Sequence, residues 1–167
     1  MKTVDFISFQ SVTLTDGFWK DRSDLNKNVS LANVRKRFEE TGRFDALRFN
    51  YATSGKKPHF FYDSDVAKWI EAVAYLIEQD PESMRDHETL CEELIECMER
   101  AQRDDGYLNS EHQQVSPHLI FSNRDRHELY CCGHLIEGAI AYYEATGRDR
   151  FLKIMEKYVD LVDRIFR

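Results

Sequence analysis

No apolar run in the sequence approaches the roughly 20 residues needed to span a bilayer. The first ten residues, Met1 to Gln10, hold one lysine and an early Asp5 but no apolar stretch of signal-peptide type. Membrane insertion is therefore not expected, and the lack of an export signal points to the cytoplasm. Positive charge is also short: 23 Lys and Arg against 30 Asp and Glu give a formal net charge of -7. Nonspecific nucleic-acid binding needs a basic face, so that class is set aside. The four cysteines, Cys91, Cys97, Cys131 and Cys132, show no CxxC spacing and read as small buried hydrophobes.

What is present is a globular composition, 13% aromatic and 32% charged over 167 residues. A chain of this length makes one domain and, folding alone, buries about two thirds of its unfolded surface. Residues 1–22 read as an extended N-terminal arm, with Asp16-Gly17 turning before Phe18 and Trp19. Residues 23–167 read as helical. A first helix over about 24–40 should stop at Thr41-Gly42. Residues 43–62 look irregular.

Val66, Trp69, Ile70, Val73 and Ile77 then follow at helical spacing behind a cap at Asp63 or Ser64. Asp80-Pro81 breaks that helix. A partner over about 83–103 carries Leu90, Cys91, Leu94 and Met98 and stops at Asp104-Asp105-Gly106. A loop of about 20 residues follows, long enough to suggest a functional role. Two further helices cover about 126–145, ending at Thr146-Gly147, and 149 onward.

The later helices repeat. The segment Ile70-Glu71-Ala72-Val73-Ala74-Tyr75-Leu76-Ile77-Glu78 lies over Ile136-Glu137-Gly138-Ala139-Ile140-Ala141-Tyr142-Tyr143-Glu144, 66 positions later. Each unit is a helical hairpin, which cannot bury both its faces and so stacks on neighbours. The period exceeds the 33–34 residues of ankyrin or tetratricopeptide units and suits the larger hairpins of helical toroids. Apolar periodicity still runs through Ile165-Phe166, so the repeat reads as truncated at 167.

Three constellations could carry chemistry. On the helix beginning near residue 127, Leu129, Cys132, Ile136, Ala139 and Tyr143 form one stripe. His127, Cys131, His134, Gly138 and Ala141 form a second, smaller and more polar. Such a helix can pack outward on one face and line a cavity with the other. The bland alternative is satisfied histidines among small core residues; a zinc site at His127, Cys131 and His134 lacks both HExxH spacing and a fourth ligand. Asp63-Ser64-Asp65 offers either an N-cap or two carboxylates for sugar hydroxyls. Tyr107 and Asn109, in Asp104-Asp105-Gly106-Tyr107-Leu108-Asn109, offer an aromatic and an amide that suit a sugar, in what is also an ordinary turn.

These motifs together resemble glycoside hydrolase family 127. The resemblance rests on Gly17-Phe18-Trp19, Glu40-Thr41-Gly42-Arg43, the run from Asp63 to Ala72, Asp105-Gly106-Tyr107-Leu108-Asn109, and His127-Glu128-Leu129-Tyr130-Cys131 with Gly133-His134-Leu135, in the family's order. It departs at Asp45-Ala46-Leu47, where asparagine-phenylalanine is more usual, and at Cys132, where many relatives have alanine. It implies a six-hairpin α/α toroid followed by β-sandwich domains, of which this chain is expected to be an all-α part, a partial α/α toroid of about two to two-and-a-half hairpins. It also implies a retaining hydrolase releasing β-L-arabinofuranose through a zinc-bound cysteine thiolate and a glutamate acid/base.

In such enzymes those groups lie in the later part of the toroid, so no catalytic residue, metal ligand or cofactor is expected in this chain, with zinc expected in a full-length enzyme. Cys131 and Cys132 are not the nucleophile pair. The resemblance makes His127 a sugar contact, with His134 in the same motif; Asp63, Asp65, Tyr107 and Asn109 are further substrate-binding candidates on their own chemistry. The expected partner is an L-arabinofuranoside-type carbohydrate, alongside self-association through exposed toroid faces. The competing readings are a complete helical interaction module and another toroid enzyme, such as an uronyl hydrolase or sugar epimerase.

Overall fold

The computed structural model describes residue 7 and residues 11–167; the first part of the expected arm lies outside the described residues. Helix begins earlier than the sequence suggests. α1 runs Gly17–Leu25, passes through a π-helical turn at Asn26–Ser30 and continues as α2, Leu31–Thr41. The arm expected through residue 22 therefore ends by Asp16, which occupies the extended N-cap position. Local pairs four residues apart support this exposed start: Lys20 with Asp24, and Arg22 over the Phe18 ring.

α2 stops at Gly42 in the left-handed conformation, as expected. Residues 43–62 are more ordered than expected, holding α3, Arg43–Leu47, and α4, Tyr51–Ser54. The reason is tertiary. Phe44, Ala46 and Leu47 are almost fully buried, and Phe44 meets Trp69 edge to face with centroids 5.1 Å apart. Few sequence cues reveal a helix of five residues that exists because the core takes all of one side.

α5, Tyr62–Gln79, buries the expected stripe from Val66 to Ile77. Its N-cap is Phe61, not Asp63 or Ser64; the Ser64 hydroxyl donates to the Phe61 carbonyl at 2.8 Å, and Asp63 is used elsewhere. Asp80-Pro81 both ends α5 and starts α6, Pro81–Ala101: Asp80 accepts from the Ser83 amide and Pro81 occupies the first helical position. The long loop contains α7, Ser110–Gln114, and 3-10 turns at Pro117–Leu119 and Arg124–Arg126. α8, Glu128–Thr146, and α9, Arg150–Phe166, complete the described residues.

α5 and α8 pack against each other side by side. They run parallel: Cys131 Sγ lies 3.4 Å from the Phe60 carbonyl, and Gly138, seven residues on, faces the carbonyl of Ala67, seven residues on from Phe60. A Cβ at Gly138 would sit 3.1 Å from that oxygen, so the small residue sets how closely the helices approach. α6 and α9 form an outer layer, tied by Gln102 Nε2 to the Ile154 carbonyl at 2.7 Å and by Arg150 to Glu99 at 3.4 Å. Leu94, Ile95 and Met98 of α6 and Phe151, Ile154, Met155 and Tyr158 of α9 fill the space between layers at 0–1% exposure. Each such side chain contributes roughly 1.5–3 kcal/mol relative to an exposed one. Two hairpins, α5–α6 and α8–α9, with α2 and α3 packed on the first, make an all-α arc of a toroid.

The turn out of α6 depends on Gly106. Its φ is +97°, and a Cβ there would lie 2.3 Å from the Lys157 carbonyl oxygen of α9. Gly106→Ala should destabilise the chain by about 2–4 kcal/mol, read as a lower urea midpoint. An unchanged midpoint would mean that this turn is free to move away from α9.

Candidate functional site

The loop joining α6 to α8 folds around buried polar groups. Asp63, from the first turn of α5, accepts the Ser110 amide at 2.8 Å and the Ser110 hydroxyl. Asn109 caps α7 by accepting from the His112 amide at 2.9 Å. His112 has no solvent exposure; its Nδ1 lies 3.3 Å from Glu111 and its Nε2 3.7 Å from Glu128. Ser116 donates to Glu111 at 2.7 Å.

Glu128, the first residue of α8, is the hub. It accepts the Tyr107 hydroxyl through one oxygen and the Phe121 amide at 2.9 Å through the other. Burial pushes the Asp63 carboxyl up to about 6; the nearby Glu111 charge adds to this, while the two Ser110 hydrogen bonds oppose it. Burial likewise holds the Tyr107 phenol protonated well above its usual range, with Tyr158 and Glu128 reinforcing it.

This network holds His127 at the N-terminal ends of α5 and α8. The residue sits in the left-handed region at φ 61° immediately before α8, and its ring Nδ1 lies 2.8 Å from the Asp125 carbonyl oxygen. Phe60 and Phe61 flank the imidazole with centroids 5.2 and 6.4 Å away. Tyr130, one turn along α8, meets it edge-on at 5.4 Å, and His134 continues the row 4.5 Å from Tyr130. The His134 Nδ1 lies 2.8 Å from the Glu137 carboxylate. Lys68 of α5 crosses to Tyr130, donating to its hydroxyl at 2.7 Å. The result is a half-exposed aromatic wall with imidazole, phenol and ammonium groups on it.

The six candidate residues do not converge on this wall. His127 and His134 lie on it. Asp65 is half-buried one turn before Lys68, paired with Arg43 at 2.8 Å. Asp63, Tyr107 and Asn109 are each about 1% exposed and sit behind the wall, their polar atoms committed to Ser110, Glu128 and His112. The helical stripes of α8 also divide differently from expectation. Cys131, Gly138 and Ala141 pack into protein, not a cavity, while Leu129 and Tyr143 of the supposed packing stripe are 47% and 43% exposed.

Residues 11–167 match the family model described as the β-L-arabinofuranosidase GH127 catalytic domain. The chain belongs to glycoside hydrolase family 127. It is 36% identical, over 113 residues, to a non-reducing end β-L-arabinofuranosidase of Bifidobacterium longum, covering 64% of this chain and 17% of that protein. A GH127 β-L-arabinofuranosidase from Geobacillus stearothermophilus T6 superposes over 94% of the chain with a TM-score of 0.84 and 40% identity. A second GH127 β-arabinofuranosidase covers 93% with a TM-score of 0.80 and 32% identity. The chain spans 26% of the length of each of those two structures.

Membership of GH127 sets aside the uronyl hydrolase and epimerase alternatives. It also gives the cysteines a context. Cys131 and Cys132 are buried, and burial raises both thiols, Cys132 to about 12, so neither is a thiolate at neutral pH. Among the described residues no group of three or more His, Cys, Asp or Glu side chains is arranged to hold a metal ion, and the His127, Cys131 and His134 set does not fit zinc.

Phe60, Phe61, Lys68, Glu111 and His112 were not anticipated. The first two follow Pro58 in what reads as a loop, where neighbouring aromatics carry no periodic signal. For His112 a cue existed: Asn109 stands three residues ahead, at N-cap spacing, yet reads equally as a sugar-binding amide.

The raised Asp63 carboxyl makes stability pH-dependent. Its folded value of about 6 exceeds the unfolded value of about 3.9, so its stabilising contribution is present below about pH 4 and is lost as pH rises towards 6. Asp63→Asn, which keeps the shape without the charge, should gain on the order of 1–3 kcal/mol relative to the parent between about pH 4 and pH 7. Urea melts at both pH values measure this; a constant gap between the two proteins would contradict it.

Proposed function

We propose that this chain forms one wall of the sugar-binding cavity of a GH127 toroid acting on β-L-arabinofuranosides. The observation that carries the reading is His127, held at φ 61° and flanked by Phe60, Phe61 and Tyr130 at the N-terminal ends of two parallel helices. Aromatic rings offer apolar faces to sugar C–H groups, while imidazole and phenol satisfy hydroxyls, the combination small polar ligands require. His134 extends the same wall; Asp63, Tyr107 and Asn109 support it from behind.

This chain's residues bind and orient a sugar. The zinc-bound thiolate nucleophile and glutamate acid/base expected of a whole family enzyme belong to other parts of a toroid. The chain alone is then inactive, and its setting is the cytoplasm. No helix among the described residues is long and apolar enough to cross a membrane.

Its unpaired toroid faces favour self-association. Ile140 and Tyr143 of α8 and Val159, Ile165 and Phe166 of α9 are 43–55% exposed. A separate groove of about 360 Å³ is lined by Leu31, Val34, Phe38, Trp69, Ala72 and Leu76. Exposed apolar side chains in this number, together with an apolar groove, favour association.

A chromogenic β-L-arabinofuranoside should give no turnover above blank with this chain; hydrolysis would place a nucleophile within it. Methyl β-L-arabinofuranoside should perturb the His127 ring resonances, and His127→Ala should weaken that binding by about tenfold. Equal binding by the variant would remove His127 from the pocket. Size-exclusion chromatography with light scattering should show mass rising with concentration, and a monomer at all concentrations would contradict self-association.

A further inference from the structure

The wall's hydrogen-bonding polarity is set by groups that can act in only one sense. The Asp125 carbonyl 2.8 Å from His127 Nδ1 can only accept, so in the neutral ring Nδ1 carries the proton and Nε2 presents a lone pair. The Lys68 ammonium can only donate, and it does so to the Tyr130 oxygen at 2.7 Å, while also lying 4.9 Å from the ring centroid. The phenolic proton of Tyr130 is thereby left for another partner. His127 and Tyr130 are adjacent, their rings 5.4 Å apart and nearly perpendicular.

We infer that the wall presents a fixed acceptor and donor pair, His127 Nε2 and the Tyr130 O–H, that selects a ligand offering a hydroxyl proton beside an oxygen acceptor, as the vicinal diol of a sugar ring does. Asp125 and Lys68 are positioning groups: neither need touch the ligand, and each fixes the sense of the group that does. The inference rests on the reading of this face as a sugar pocket and adds what that pocket discriminates. A ligand with two acceptors and no hydroxyl proton leaves His127 Nε2 unpaired; one with donors alone leaves the Tyr130 proton unpaired. The wrong ligand leaves one of these groups to water, and because the wall is half-exposed the discrimination is of the order of one hydrogen bond.

Two measurements on the whole chain test it. Nitrogen-15 NMR of the free protein in mildly alkaline buffer, where imidazole is neutral, should show His127 with a protonated Nδ1 and an unprotonated Nε2. The opposite tautomer overturns the inference, whatever the sugar does. Titration with methyl β-L-arabinofuranoside should give about fivefold to tenfold weaker binding for Lys68→Met and binding within about twofold of the parent for Lys68→Arg. Lys68 is exposed, so both variants should melt as the parent does. Parental binding by Lys68→Met overturns the role of Lys68. If the sugar perturbs nothing while His127 shows the expected tautomer, the pocket reading fails, and with it the ligand named here, but the assigned acceptor stands.

Discussion

The buried carboxylate of Glu128 is the constraint on which the candidate site depends. It begins α8, yet its oxygens face inward to the Tyr107 hydroxyl and the Phe121 amide, close to the His112 ring. Phe121 and His127 both have positive φ, 53° and 61°. Non-glycine residues hold that conformation at a cost of about 1–2 kcal/mol each, and they persist only where surrounding contacts over-determine the backbone. Glu128 stands between the two strained residues and the core. A carboxylate this deep is expensive to bury unless hydrogen-bonded, and here the bonds that satisfy it also close the loop.

The parallel pairing of α5 and α8 is the second requirement. Gly138 lets the α5 backbone come close, which puts Lys68 within reach of Tyr130 and Phe60 beside His127. Small residues on an inner helix thus serve packing, and the aromatic wall is made at the helix N-terminal ends, where Phe60, His127 and Tyr130 meet. The same logic explains why chemistry-bearing residues lie in two shells. His127, Tyr130, His134 and Lys68 face outward, whereas Asp63, Glu111, His112 and Glu128 hold the loop from within.

Much of the architecture was legible in the residues. Gly42 and Gly147 end helices where they should, the Val66 to Ile77 stripe is buried, and the 66-residue repeat corresponds to the two parallel inner helices. What escaped was tertiary in origin. α3 forms because Phe44, Ala46 and Leu47 enter the core, a fact no five-residue window contains. Asp63 looks like an N-cap because it opens α5, but its partner is Ser110, 47 residues on. The stripe from Cys131 to Ala141 revealed a second non-solvent face on α8 without revealing that α5 would take it. His127 stood out as a candidate because its motif is distinctive; Phe60 and Lys68 join its surroundings only in the fold.

The most direct test of the account is hydrogen–deuterium exchange on Glu128→Ala. If Glu128 holds the loop that presents His127, deuterium uptake should rise across residues 106–127 while the buried centres of α5 and α9 stay protected. Unchanged exchange in the loop, or an equal rise throughout the chain, would show that this carboxylate does not hold the site together.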